Sequence, residues 1–221
     1  AQYLRDNEDA RQVDWVGIWE GNTINTTTIE NANGVPGNSV TGKRSQVIIG
    51  DYRSDSREAG FNAVLRQSLS ARFTLNGGAN YQWFRGRNFV TADDLLGGDF
   101  MLDQARFVDD PNQANNDIRT PNRVVRQGET YGYDYDENIR NGGAWVQLQG
   151  NLPRISFFAA AENLYTEFWR TGYMQNGRFP DASLGDSKKV SFITYGFKGG
   201  LTYKLTGRHY LYAHGYHGTR A

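Results

Sequence analysis

RFTLNGGANYQW, residues 72–83, separates into two chemical rows when every second residue is taken. Phe73, Leu75, Gly77, Ala79, Tyr81 and Trp83 form one row; Arg72, Thr74, Asn76, Gly78, Asn80 and Gln82 form the other. A period of two belongs to a β-strand, whose side chains point alternately to opposite faces. The stretch therefore predicts a strand with one apolar and one polar face. The pattern returns at 193–205, where Ile193, Tyr195, Phe197, Gly199, Leu201, Tyr203 and Leu205 oppose Thr194, Gly196, Lys198, Gly200, Thr202 and Lys204.

Weaker copies fill in the rest. Ala144, Val146, Leu148 and Gly150 alternate with Trp145, Gln147 and Gln149, and Phe61, Ala63 and Leu65 align within residues 61–65. Residues 154–169 read as a strand that is apolar on both sides for part of its length. The last segment sets Leu211, Ala213 and Gly215 against Tyr210, Tyr212, His214 and Tyr216. Six strands are predicted, and the composition agrees: 14% of the residues are aromatic and 13 are tyrosines against two methionines, a bias toward strand formers.

The 24 basic and 24 acidic residues cancel, so the overall charge gives no reason to expect a nucleic-acid partner. With no cysteine there are neither disulfides nor thiolate metal sites. No apolar run is long enough for a membrane-spanning helix, which leaves open a membrane barrel, whose signal is alternation. The first residues, AQYLRDNEDARQ, carry no apolar leader core, so the chain reads as processed or as a piece of something longer.

The connections suggest how the strands are arranged. Short turns are expected at about 68–71, 151–154 and 206–208, and long loops at about 21–43, 86–130 and 174–188. Short turns at one end of an antiparallel up-and-down meander and long loops at the other, with one apolar face per strand, are the layout of an outer-membrane barrel. A bilayer crossing takes about 9–11 tilted residues, the size of Phe73–Trp83. Six strands left open in lipid would expose unpaired backbone groups, so they are expected to belong to a larger barrel.

Several runs carry a resemblance: DDLLGGDF (93–100), NRVVRQGETYGYDYDENI (122–139), FWRTG (168–172) and TYGFKGGLTYKLTGRHYLYAHG (194–215). From about residue 10 onward the chain resembles the barrel of a TonB-dependent outer-membrane receptor, of the type with an N-terminal carboxypeptidase-regulatory-like domain. That resemblance implies an internal fragment of a transmembrane barrel of about 22 strands, in the outer membrane of a Gram-negative bacterium, with the plug domain and TonB box absent from these residues. It implies active uptake of a siderophore, oligosaccharide or peptide, without catalysis or cofactor. The implied partners are outer-membrane lipid, the receptor's own plug, the TonB complex and the substrate, with a surface lipoprotein lid left open. Two other classes stay open beside it, a soluble all-β binding module such as a sandwich and a structural barrel component of an envelope assembly.

Candidate residues follow from position. Residues 85–138 hold eleven Asp or Glu against six Arg, and Asp93, Asp94 and Asp99, with Asp103 nearby, are the densest group. On an outward loop they are candidates for substrate binding. Trp169, Arg170 and Arg178 are candidates for stacking on and clamping a polar or anionic ligand. Asn80, Gln82, Gln147, Gln149 and Lys198 are expected to face a lumen.

Other patterns point away from chemistry. GNSVTGKRS (37–45) approaches a phosphate-binding loop, but Arg44 stands where magnesium needs a hydroxyl, and a strand rather than a helix follows. His209 and His217 share a strand face about 26 Å apart, with His214 on the other, so no metal site is expected. Asp134, Asp136 and Asn138 open like a calcium loop but lack its sixth-position glycine and closing glutamate, and read as a solvated strand end. Glu162 and Glu167, five apart, fall on opposite faces and cannot form an acid pair.

Overall fold

The computed structural model describes residues 12–219; the leader reading of the first eleven residues and the chain end at Arg220 and Ala221 lie outside them. Helix α1 (Trp15–Thr23) starts where the Asp14 carboxylate accepts the Gly17 amide at 2.9 Å. It leads into a small antiparallel hairpin, β1 (Thr26–Ile29) with β2 (Val40–Lys43), closed by a 3-10 turn at Ala32–Gly34. The long strands follow: β3 (Ile49–Ser68) and β4 (Phe73–Asp94), then the short β5 (Met101–Leu102), a helical turn α2 (Pro111–Ala114) and β6 (Val124–Val125). After them come β7 (Thr130–Asn151), β8 (Ile155–Gly172), the short β9 (Gly185–Asp186), β10 (Val190–Lys204) and β11 (Tyr210–Gly218).

The chain is all-β, and its six long strands form one antiparallel sheet in the order β11-β10-β8-β7-β4-β3, a meander in chain order. The turns are tight because the amide of each first turn residue returns to the following strand: Leu69 to the Phe73 carbonyl, Leu152 to that of Ile155, and Leu205 to that of His209, at 2.9, 2.8 and 3.0 Å. The sheet is open, with β3 and β11 at its edges. No helix among the described residues is long and apolar enough to cross a membrane.

Contacts divide the chain into two compact units. Unit 2 comprises Ser56–Gly86, Glu137–Arg170 and the residues from Lys188 on; unit 1 comprises the described residues up to Asp55 with Arg87–Asp136 and Thr171–Ser187. Unit 2 is sheet alone. In the ladder of β8, β10 and β11, residues directly opposite share a face: Phe157, Leu201 and Ala213 stand in one row, as do Ala159, Gly199 and Gly215. Tyr195, Phe197, Tyr203 and Leu211 lie on this same apolar face. The rings of Phe61 and Tyr81 stack at 6.3 Å, and those of Phe73 and Phe157 meet edge-on at 6.3 Å, which extends the apolar face across β3 and β4. No apolar side chain larger than glycine is buried among the described residues of unit 2; Phe61, Ile193, Phe197 and Leu201 are 49–68% exposed.

Among the described residues, all of the buried apolar side chains lie in unit 1. Phe100 packs with Ile29, Ala32 and Val124, while Leu95 packs with Ala92 and Val125. Residues 86–130, expected as an irregular loop, thus begin with strand to Asp94 and supply most of this core. Residues 21–43, also expected as loop, hold the end of α1 and the β1–β2 hairpin. The density of Asp, Asn, Gly and Pro signals turns correctly, but it hides Leu95 and the Val124–Val125 doublet, of which Val124 packs on Phe100 while Leu95 and Val125 pack with Ala92.

Asn22 fixes this packing. Its amide donates to the carbonyls of Val47, Leu95 and Leu96 at 2.7, 3.1 and 3.2 Å, and its oxygen accepts the amides of Gln46 and Val47 at 2.7 and 3.3 Å. At Gly97 φ is +90°, and an added Cβ would come within 2.4 Å of the Trp19 indole nitrogen, so glycine is required there on both counts. Replacing Asn22 with Ala strands several buried backbone groups and is expected to cost about 3 kcal/mol locally. Hydrogen exchange at the Gln46 and Val47 amides should accelerate by about two orders of magnitude; unchanged protection would show that the bonds are incidental.

Candidate functional site

The polar rows of unit 2 are the first place to look for a site, because strand periodicity delivers them to a common face. Gln147, Gln149 and Lys198 border one depression of about 440 Å³ together with Arg66, Asn76 and Glu162. Lys198 stands opposite Ala160 and Tyr216, and its ammonium lies 3.9 Å from the Glu162 carboxylate, both groups half exposed. Gln82 donates to Glu58 at 2.6 Å and accepts from Asn141 at 3.3 Å. Trp145 lies over Gly78, where an added Cβ would come within 2.5 Å of the indole nitrogen. Asn80 borders a second depression of about 270 Å³ with Trp145 and Glu162.

Glu58 and Arg66 were not singled out from the sequence. Their signal was present: both lie an odd number of residues from Phe61 and so share the opposite parity. Asn141 had no such signal, because residues 139–143 do not alternate in polarity.

The acidic candidates of unit 1 are largely engaged in architecture. Asp99 accepts the Lys43 amide at 2.8 Å, and Asp94 accepts the Leu96 amide at 2.7 Å, holding Leu96 at φ 50°. Asp103 is buried, taking hydrogen bonds from Asn116 at 2.8 Å, the Gly132 amide at 2.9 Å and Arg123 at 3.2 Å. Asp93 alone of the three proposed ligands keeps an exposed carboxylate with no hydrogen bond among the described residues. Asp134 and Asp136 lie inside β7 rather than at a solvated strand end, and Asp136 is 2% exposed. The cause is two partners distant in sequence: Arg87 grips Asp134 with two bonds of 2.9 and 2.7 Å, and Tyr173 donates to Asp136 at 2.5 Å. Arg87 also lies 5.2 Å from the Phe89 ring and 5.3 Å from the Tyr173 ring.

Trp169 and Arg170 belong to unit 2 and Arg178 to unit 1. The Trp169 ring is already attended by Arg140 at 4.8 Å and Lys189 at 4.5 Å, and Arg140 reaches Glu167 at 3.8 Å. Arg178 lies 5.9 Å from the Phe179 ring. The other polar patterns stay apart: Glu162 faces Gly196 and Glu167 faces Ser191, on opposite sides of the sheet. His214 and His217 likewise take opposite faces, while His209 sits in the β10–β11 turn beside Thr206 at 2.9 Å. Among the described residues, no three His, Cys, Asp or Glu side chains are grouped to hold a metal ion.

Protein-family models, curated proteins and solved structures all give no match to this chain.

One ion pair in unit 1 has a definite pH signature. Burial pushes the Asp117 carboxyl up, but hydrogen bonds from Arg119, the Arg119 charge and the Gln175 amide outweigh it and hold the group below its ordinary value of 3.8. Arg119 binds both Asp117 oxygens at 3.0 and 2.7 Å and also donates to the Tyr173 carbonyl at 2.6 Å. A depressed carboxylate contributes stability above its unfolded value, and that stability is lost as pH falls through the folded one. Exchange protection of the Gln175 amide should therefore drop below about pH 4. Asp117→Asn should lower that protection at neutral pH and flatten its acid dependence; an unaltered profile would assign the acid response to another group.

Proposed function

We propose that this chain is part of the β-barrel of a TonB-dependent outer-membrane receptor that takes up a nutrient such as a siderophore, oligosaccharide or peptide. One observation carries the reading: unit 2 is a single two-faced sheet whose apolar rows have no opposing layer. Aromatic and aliphatic side chains left open over this width need an apolar medium or a partner, and a lipid bilayer supplies the first without a second protein layer. The soluble sandwich would seal the same rows against another sheet of its own chain, whereas the other sheets among the described residues, β1–β2 and β5–β6, have two short strands each.

On this reading the polar face lines the receptor interior, toward plug and water, and β3 and β11 pair with further strands of the barrel. Strands β3, β4, β7, β8 and β10, of 15–22 residues, exceed the 9–11 or so that a bilayer crossing requires, so part of each continues beyond the lipid. Unit 1 is then the extracellular part that meets the nutrient, through Asp93 at the end of β4 and Arg178 on a loop. Energy for uptake comes from the TonB complex acting on a plug, and this wall performs no chemistry.

The absence of cysteine makes a direct test clean. Single cysteines at Phe197, Leu201, Lys198 and Gln147 are placed in the gene product and probed in outer-membrane vesicles. Lys198→Cys and Gln147→Cys should react with a membrane-impermeant maleimide. Phe197→Cys and Leu201→Cys should resist it, and a probe attached there in detergent should be quenched by a lipid-dissolved nitroxide after reconstitution. Equal labelling of both rows, or recovery of the protein from water without detergent, would refute the barrel. The transport half requires a plug-encoding segment upstream of Ala1; a complete soluble protein starting there would overturn it.

A further inference from the structure

We propose that unit 1 carries an oxyanion-binding pocket in which Arg44 and Arg106 receive the carboxylate or phosphate group of a small organic acid. The inference stands on unit 1 alone and does not depend on the uptake reading.

The pocket, about 510 Å³, is formed by the chain that follows β2 and the segment running from β5 to α2. Its volume is within the usual range for a small-molecule site. Two guanidinium groups line it, Arg44 and Arg106, against one carboxylate, Asp109. Neither arginine has an ion-pair partner among the described residues. The Nε of Arg44 is buried and has no hydrogen-bond partner among the described residues.

Arg44 is unusual for unit 1, where the other described arginines either pair with a carboxylate or, like Arg126 and Arg178, stand exposed. Arg87 has Asp134, Arg119 has Asp117, and Arg123 has Asp103. A half-buried guanidinium with an unmet N–H beside a second cation is unfavourable in the empty state. Burial, and secondarily the like charge of Arg106, hold Arg44 below the usual arginine range. Arginine nonetheless stays charged at neutral pH, so relief comes from a ligand oxyanion and not from loss of the proton. Guanidinium groups suit that task because their planar fork matches carboxylate and phosphate oxygens.

The remaining lining narrows the ligand. Ile48, Met101, Leu102 and Val108 give the pocket an apolar side, which favours an acid with an apolar body over a bare inorganic ion. The site also differs from a phosphate-binding loop. The Lys43 amide, one of the donors such a loop would use, is already bonded to Asp99, and β3 rather than a helix follows.

The test is titration calorimetry on the full chain in detergent with four probes: phenyl phosphate, benzoate, inorganic phosphate and benzyl alcohol. At least one of the two aromatic anions should bind saturably, at least tenfold more tightly than inorganic phosphate, and the neutral alcohol should not bind. Which aromatic anion binds more tightly distinguishes a phosphate ester from a carboxylate as the natural group. Arg44→Gln and Arg106→Gln should each weaken binding at least tenfold, while Arg126→Gln, outside the pocket, should leave it unchanged. Arg106 is exposed, so its variant remains informative if Arg44→Gln disturbs folding. The proposal fails if no aromatic anion binds at 10 mM, if benzyl alcohol binds as well as benzoate, or if Arg106→Gln leaves affinity intact.

Discussion

Every apolar row in unit 2 is made by a sheet only one layer deep, and that single constraint governs the rest of the molecule. A sheet in water ordinarily hides one face against a second layer, because burial of apolar area is what offsets the conformational entropy lost in ordering the strands. Here the backbone ladder is complete from β3 to β11, yet Leu201, Phe197 and Leu211 stay about half exposed or more. Hydrogen bonding alone contributes too little to hold such a sheet, so its stability depends on whatever covers the apolar face. On the proposed reading that cover is lipid.

Unit 1 solves the opposite problem. It has a core, small and built from short pieces, in which Phe100 is enclosed by Ile29, Ala32 and Val124. Segments this short cannot satisfy all of their backbone groups within regular ladders, and side chains take over. Asn22 serves five backbone groups, Ser45 donates to the Leu95 carbonyl, and Asp99, Asp94 and Asp103 each accept at least one amide. An acidic composition that suggests ligand capture is, residue by residue, mostly the means of fixing irregular backbone. Charge is distributed with the same economy: Arg87, Arg119 and Arg123 each hold a carboxylate and stabilise architecture, whereas Arg44 and Arg106, without such a partner among the described residues, line one pocket.

Much of unit 2 was legible in advance. A period of two is a local property, so the face of Phe73, Leu75 and Tyr81, and the separation of Glu162 from Glu167 or of His214 from His217, followed from counting. Strand ends were less so, because outside the apolar rows the alternation fades: β7 begins at Thr130, well before the alternation of Ala144 to Gly150, and β4 continues past Trp83 to Asp94. The burial of Asp136 could not be read at all, since it depends on Tyr173, distant in sequence and brought near only by folding.

The amino-acid order by itself determined that the chain is an antiparallel meander with one apolar and one polar face, because strand geometry converts spacing directly into sidedness. Only the tertiary structure decided that residues 86–130 supply a core, that Asp99 is bound to the Lys43 amide and that Arg44 and Arg106 share a pocket. Those outcomes depend on contacts between residues tens of positions apart, and no local period encodes them.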